Sequence, residues 1–166
     1  MKKSIAILSI ILITLSFVGC SSPSKNEEIT NKKTVVEKKA EPTVEVIRIK
    51  TPAGIKDTGK GRIEIDTPSG NSNDGVVPFI YADKETVLTQ IGLNAWEFDG
   101  AKLSYIFVDG ILNFKDQLGD TQTSITLKEN DLKIGNHTVE VTQYDNDKMD
   151  GKISTYKLDS YEVKAK

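Results

Sequence analysis

Hydrophobic and polar positions fall into three regimes along the chain. After the basic start Met1-Lys2-Lys3, residues 5–18 are apolar except for Ser9, Thr14 and Ser16. Residues 21–60 then turn polar, rich in Ser, Lys, Glu and Thr and without one aromatic side chain. From Gly61 the pattern alternates. Ile63 and Ile65 interleave with Arg62, Glu64 and Asp66. Val87, Thr89, Ile91, Leu93 and Ala95 form a second alternating run, and Ile125 with Leu127 and Val139 with Val141 continue it. A period of two with one apolar face predicts half-buried antiparallel strands. Leu103-Ser-Tyr-Ile-Phe-Val108 is apolar almost throughout and reads as a central strand. The predicted strands are 62–66, 86–97, 102–108, 111–115, 123–128, 136–144 and 152–163.

Turn chemistry supports this division. Asp-Gly occurs at Asp99-Gly100, Asp109-Gly110 and Asp150-Gly151. The pair suits a type I′ hairpin, which needs positive φ at both central residues, and Val108-Asp109-Gly110-Ile111 has apolar strands on both sides. Seven strands at short spacing predict an all-β, antiparallel sandwich over 61–166 rather than a βαβ fold. Two segments are ambiguous. Residues 84–95 are read as strand, although Asp83 could cap a short helix in which Val87, Leu88 and Ile91 share a face. Residues 44–49 have β-branched, strand-like content; they are read as extended chain, with an added edge strand as the alternative.

The first two regimes have a physical logic of their own. A largely apolar run of 14 residues falls short of the roughly 20 needed for a membrane span, but it matches the apolar core of a secretory signal. The polar stretch cannot bury enough apolar area to offset its conformational entropy and reads as a flexible tether. As a coil of 40 residues it spans about 35 Å. It carries nine basic and six acidic residues, whereas 61–166 carries 11 basic and 18 acidic. A net charge of -2 over 166 residues argues against a nucleic-acid partner. One cysteine and one histidine exclude a disulfide framework, a multi-thiolate zinc site and a multi-histidine metal centre.

The single cysteine follows the apolar run directly. Ser16-Phe17-Val18-Gly19-Cys20 resembles the lipobox of bacterial lipoproteins, in which a small residue precedes the modified cysteine; Phe17 stands where that pattern usually has leucine. The resemblance implies a signal peptide over 1–19, a diacylglyceryl thioether on Cys20 and a lipid-anchored tether over 20–60. Its expected location is the cell membrane, facing the extracytoplasmic side, with the bilayer as partner through Cys20. A second stretch, Leu132-Lys-Ile-Gly135-Asn-His137-Thr-Val139-Glu-Val141, resembles the E–F corner of immunoglobulin-like domains. A tyrosine that bonds back to the corner usually occupies the place His137 holds here. The resemblance implies an immunoglobulin-like β-sandwich without a disulfide, and a structural role for His137.

Candidate chemistry is sparse. His137 is the only imidazole, and no Gly-x-Ser-x-Gly elbow or phosphate loop accompanies it. Asp145, Asp147 and Asp150 form one carboxylate cluster that could offer oxygens to calcium, but Met149 interrupts the EF-hand spacing and no closing glutamate follows. A solvated hairpin loop is the favoured reading. Glu97, Asp99 and Asp109 could pair as acid and base, although turn formation explains two of them. Trp96, Phe98, Tyr105 and Phe107 are read as core aromatics; an outward Trp96 would instead be a binding anchor. The expectation is a non-catalytic, membrane-anchored binding module without a cofactor, facing an envelope protein or glycan. The alternatives are a small secreted enzyme or a calcium-dependent binding protein.

Overall fold

The computed structural model describes residues 46–49 and 54–166. The expected signal peptide, Cys20 and residues 21–45 and 50–53 of the expected tether lie outside the described residues. Nine strands follow in chain order: β1 Arg62–Thr67, β2 Gly70–Asn71, β3 Phe79–Ala82, β4 Leu88–Trp96, β5 Ser104–Val108, β6 Ile111–Asp116, β7 Thr121–Lys128, β8 Gly135–Tyr144 and β9 Ile153–Ala165. They form two sheets, β2-β1-β4-β7 and β3-β9-β8-β5-β6. Relative to the immunoglobulin plan, β1-β4-β7 occupy the places of strands A, B and E, and β9-β8-β5-β6 those of G, F, C and C′. The strand order therefore defines an all-β, immunoglobulin-like sandwich.

Alternation places the core between the sheets. Ile65, Ile91, Leu93, Ala95, Ile125 and Leu127 from the first sheet meet Ile106, Val108, Val139, Val141, Tyr161 and Val163 from the second. Phe98, Leu118 and Leu132, from connecting segments, join the same cluster. Each fully buried aliphatic side chain contributes about 1.5–3 kcal/mol over leaving it in water.

All seven expected strands are present within a few residues, including 88–96, where Asp83 caps a turn rather than a helix. Its carboxylate accepts the Glu85 N–H and the Thr86 hydroxyl. The tight β5–β6 hairpin has φ of 48° at Asp109 and 73° at Gly110, the type I′ signature. The other two Asp-Gly pairs do not take positive φ. Positive values fall at Glu97 and Asp147 instead, because 97–103 crosses between the sheets and 145–152 is a longer loop.

Strands β2 and β3 were not expected from the sequence. β3 pairs parallel with the distant β9, from Phe79↔Glu162 to Ala82↔Ala165. A parallel edge contact far along the chain leaves no hairpin signal.

The expected tether also behaves differently near its end. Residues 47–49 join the sheet: Arg48 bridges Ile111, with Ile49 N–H donating to Gly110 O (2.9 Å) and Leu112 N–H to Ile47 O (2.8 Å). Strand β6 offers an unpaired edge there, and β-branched Ile47 and Ile49 suit it. Thr58 then pairs with Tyr156 at the opposite, β9 edge through two backbone bonds of 3.0 Å each. Ile49 packs with Leu103, Tyr105, Leu112, Tyr144 and Phe107 in a second apolar cluster. Lys157, 5% exposed, donates to Asp57 Oδ1 (2.6 Å) and Gly59 O (3.1 Å). Gly59 has φ of 74°, and a Cβ there would lie 2.4 Å from the Ser154 carbonyl oxygen, so this passage requires glycine.

One half-buried carboxylate, Asp159, ties the β1–β2 corner to β9. Ser72 donates its hydroxyl to Asp159 Oδ2 (2.5 Å) while accepting the Ile65 N–H (2.8 Å). Burial pushes the Asp159 carboxyl above its ordinary value, against the opposing hydrogen bonds from Ser72 and Ser160. Burial raises Asp131 as well. A raised folded value means that the native state holds the proton more tightly than the unfolded chain. The stabilisation is complete below the ordinary aspartate value near ~3.9 and is lost as pH rises through the folded value. Asp159→Asn is expected to flatten this fall in urea midpoints measured upward from about pH 4. An unchanged slope would remove Asp159 from the pH dependence.

Candidate functional site

The residues singled out by sequence fall into separate places. His137 lies at the start of β8, with Nε2 2.6 Å from the Lys133 carbonyl oxygen and Nδ1 2.7 Å from Asp109 Oδ2. Both partners are acceptors, so the ring satisfies them together when each nitrogen carries a proton. Its face stacks on Tyr161 at 5.0 Å and 14°. The Tyr161 hydroxyl in turn donates to Asp131 O (2.8 Å). Asp109 Oδ1 accepts the Thr138 N–H (2.9 Å). The corner is thus a bonded assembly of hairpin tip, β8 and β9, and His137 is only 6% exposed.

The carboxylates of the β8–β9 loop are engaged in shaping it. Asp145 Oδ1 accepts Lys152 N–H, Asp147 Oδ1 accepts Leu103 N–H, and Asp150 Oδ1 accepts the Asn146 amide. Among the described residues no group of three or more His, Cys, Asp or Glu side chains converges as a metal site. Glu97, Asp99 and Asp109 do not converge either. Asp99 Oδ1 accepts the Ala101 N–H, and the Glu97 N–H donates to Asp120.

The aromatic cluster expected in the core divides three ways. Phe98 enters the main core; Tyr105 and Phe107 belong to the second cluster with Ile49. Trp96 is half-buried and outside both. The correction has a simple cause. Leu93 and Ala95 face inward, so the pleat turns Asn94 and Trp96 to the outer face of the β1-β4-β7 sheet.

Around Trp96 the structure brings together groups that sequence spacing could not align. Arg62, its registered neighbour on β1, places its guanidinium carbon 3.8 Å from the indole centroid. Such a contact contributes about 0.5–2 kcal/mol and fixes the ring. On the β7 side, Asn94 is paired with Gln122 and Ala95 with Thr121. Asn94, Trp96, Asp120, Thr121 and Gln122 line an open depression of about 350 Å³. Asn94 donates its amide N–H to Asp66 Oδ2 (2.5 Å). Gly92 permits this, since a Cβ there would lie 2.9 Å from Asp66 Cβ. Asp120 Oδ1 is held by the Glu97 N–H at 2.8 Å.

No protein family model matches the chain, and no curated protein matches it. Among solved structures, it is similar to the fibronectin(III)-like modules of Clostridium thermocellum CbhA at 19% identity, over 55% of this chain and 93% of that one, with a TM-score of 0.34. It is similar to a Jonesia denitrificans lytic polysaccharide monooxygenase at 16% identity, over 57% of this chain and 61% of that one, with a TM-score of 0.28. The immunoglobulin-like class of the domain rests on its own strand order and register.

Proposed function

We propose that the protein is a lipid-anchored extracytoplasmic lipoprotein whose sandwich serves as a non-catalytic binding module for an envelope component. The observation that carries the binding role is Trp96, held by Arg62 on an open sheet face beside polar side chains. Tryptophan and arginine are the residues most enriched among binding anchors. The anchoring role rests on Cys20 and the apolar run before it. Among the described residues no helix is long and apolar enough to cross a membrane. Two or more acyl chains hold a protein stably on a bilayer, where one holds it only marginally.

Fractionation of producing cells tests the anchor. The wild-type protein is expected with membranes, and Cys20→Ala is expected either in the soluble fraction or as uncleaved precursor. Correctly processed Cys20→Ala that still sediments with membranes would overturn the lipid anchor. Capture of isolated envelope material by the wild type but not by Trp96→Ala supports the binding role; equal capture by both opposes it.

A further inference from the structure

We propose that the Trp96 depression is a binding site for an uncharged or amino-bearing saccharide. This deepens the binding-module reading and rests on it. Three features of the site select that ligand class.

The first is the indole. Arg62 reaches it from β1, whereas the depression lies on the β7 side, where Asn94 pairs with Gln122. The ring is thereby held in place before any ligand arrives, which lowers the ordering cost of binding. An aromatic face carries partial negative charge and attracts the weakly positive C–H groups that line one face of a sugar ring.

The second is the polar lining. Asn94 and Gln122 contribute planar amides, each with donor and acceptor atoms, and Asp120 contributes a carboxylate. The Asn94 N–H is already given to Asp66 and Asp120 Oδ1 to Glu97. Among the described residues no protein group hydrogen-bonds the Gln122 amide or Asn94 Oδ1. Adjacent hydroxyls, which both donate and accept, match this mixture of unused atoms.

The third is charge. Arg62 is engaged with the indole, while Glu97 and Asp120 stand at its end of the sheet and Asp66 reaches Asn94 from mid-strand. An anionic polymer would meet repulsion there, and a neutral or amino sugar would not. The volume of about 350 Å³ stands at the small end of small-ligand sites, which suits a short sugar segment.

Trp96 is the only tryptophan in the chain, so emission excited selectively at the indole reports on this site alone. The full chain in zwitterionic detergent is titrated with chitohexaose and with cellohexaose, and polyphosphate serves as the anionic comparison. The expected result is a saturable emission change with at least one oligosaccharide and none with polyphosphate. By calorimetry, Trp96→Ala is expected to weaken that binding at least about 10-fold. Gln122→Ala, an exposed substitution with an unchanged urea midpoint, is expected to weaken it about 3–10-fold. Three results would overturn the proposal: neither oligosaccharide saturates, polyphosphate binds as well as the sugars, or both variants bind like the wild type. If neither sugar binds while Trp96→Ala still loses an envelope protein, the saccharide class falls and the binding module stands.

Discussion

Replacing His137 with alanine is expected to lower the stability of the domain by about 3–4 kcal/mol, read as a fall in the urea midpoint. The Lys133 carbonyl would lose its ring donor in a buried corner, an omission that costs about 1–3 kcal/mol. Asp109 would lose a bond as well, but its side chain is 40% exposed and water restores part of that loss. Tyr161, fully buried, would lose the ring stacked on it, with about 0.5–1.5 kcal/mol of aromatic contact. His137→Tyr keeps a ring against Tyr161 and a hydroxyl near the corner, and is expected to recover about half of the loss. A change below about 1 kcal/mol in His137→Ala would show that the corner contributes little to the stability of the domain.

A chain starting at Gly61 is expected to be less stable than one starting at Val46 by about 3–6 kcal/mol. The missing segment supplies four backbone hydrogen bonds, to or from Ile47, Ile49 and Thr58. It also supplies Ile49 to the cluster of Tyr105, Phe107 and Tyr144, and both partners of the Lys157 ammonium. The shortened domain is expected to bind a hydrophobic dye at the uncovered aromatic face. Gly59→Ala tests the same feature without shortening the chain, since its Cβ would meet the Ser154 carbonyl. A midpoint shared by both chain lengths would make residues before Gly61 irrelevant to the fold.

Much of the architecture was legible because the pleat writes itself into the sequence. The alternation from Thr89 to Ala95 and from Val139 to Val141 marked strands and also their buried faces. The same rule placed Trp96 outward, one residue beyond inward Ala95. Grouping it with Phe98, Tyr105 and Phe107 by type, rather than by pleat, put it in the core. The corner was legible through Leu132, Gly135 and His137, but the carboxylate of Asp109 was not. It reaches His137 only because β5 pairs with β8, a contact 28 residues distant in sequence. Asn94 and Gln122 share a site for the same reason. β3 escaped notice because a short edge contact to a remote strand has neither a long period nor a turn to announce it, whereas the 47–49 bridge is the edge-strand alternative that β-branched residues 44–49 offered, without a legible partner.

The attachment of residues 47–58 also determines how the domain meets mechanical load. A pull from the N-terminal side reaches the Arg48–Ile111 bridge before any strand of the first sheet. Two backbone bonds resist it there, whereas five residue pairs hold β1 against β4. The bridge therefore yields first and the core last. Release of the bridge frees the 10 residues from Ile49 to Thr58, about 35 Å of chain at full extension. Tension on the N-terminal side is therefore expected to lengthen this segment before it disturbs the Trp96 face on the opposite sheet.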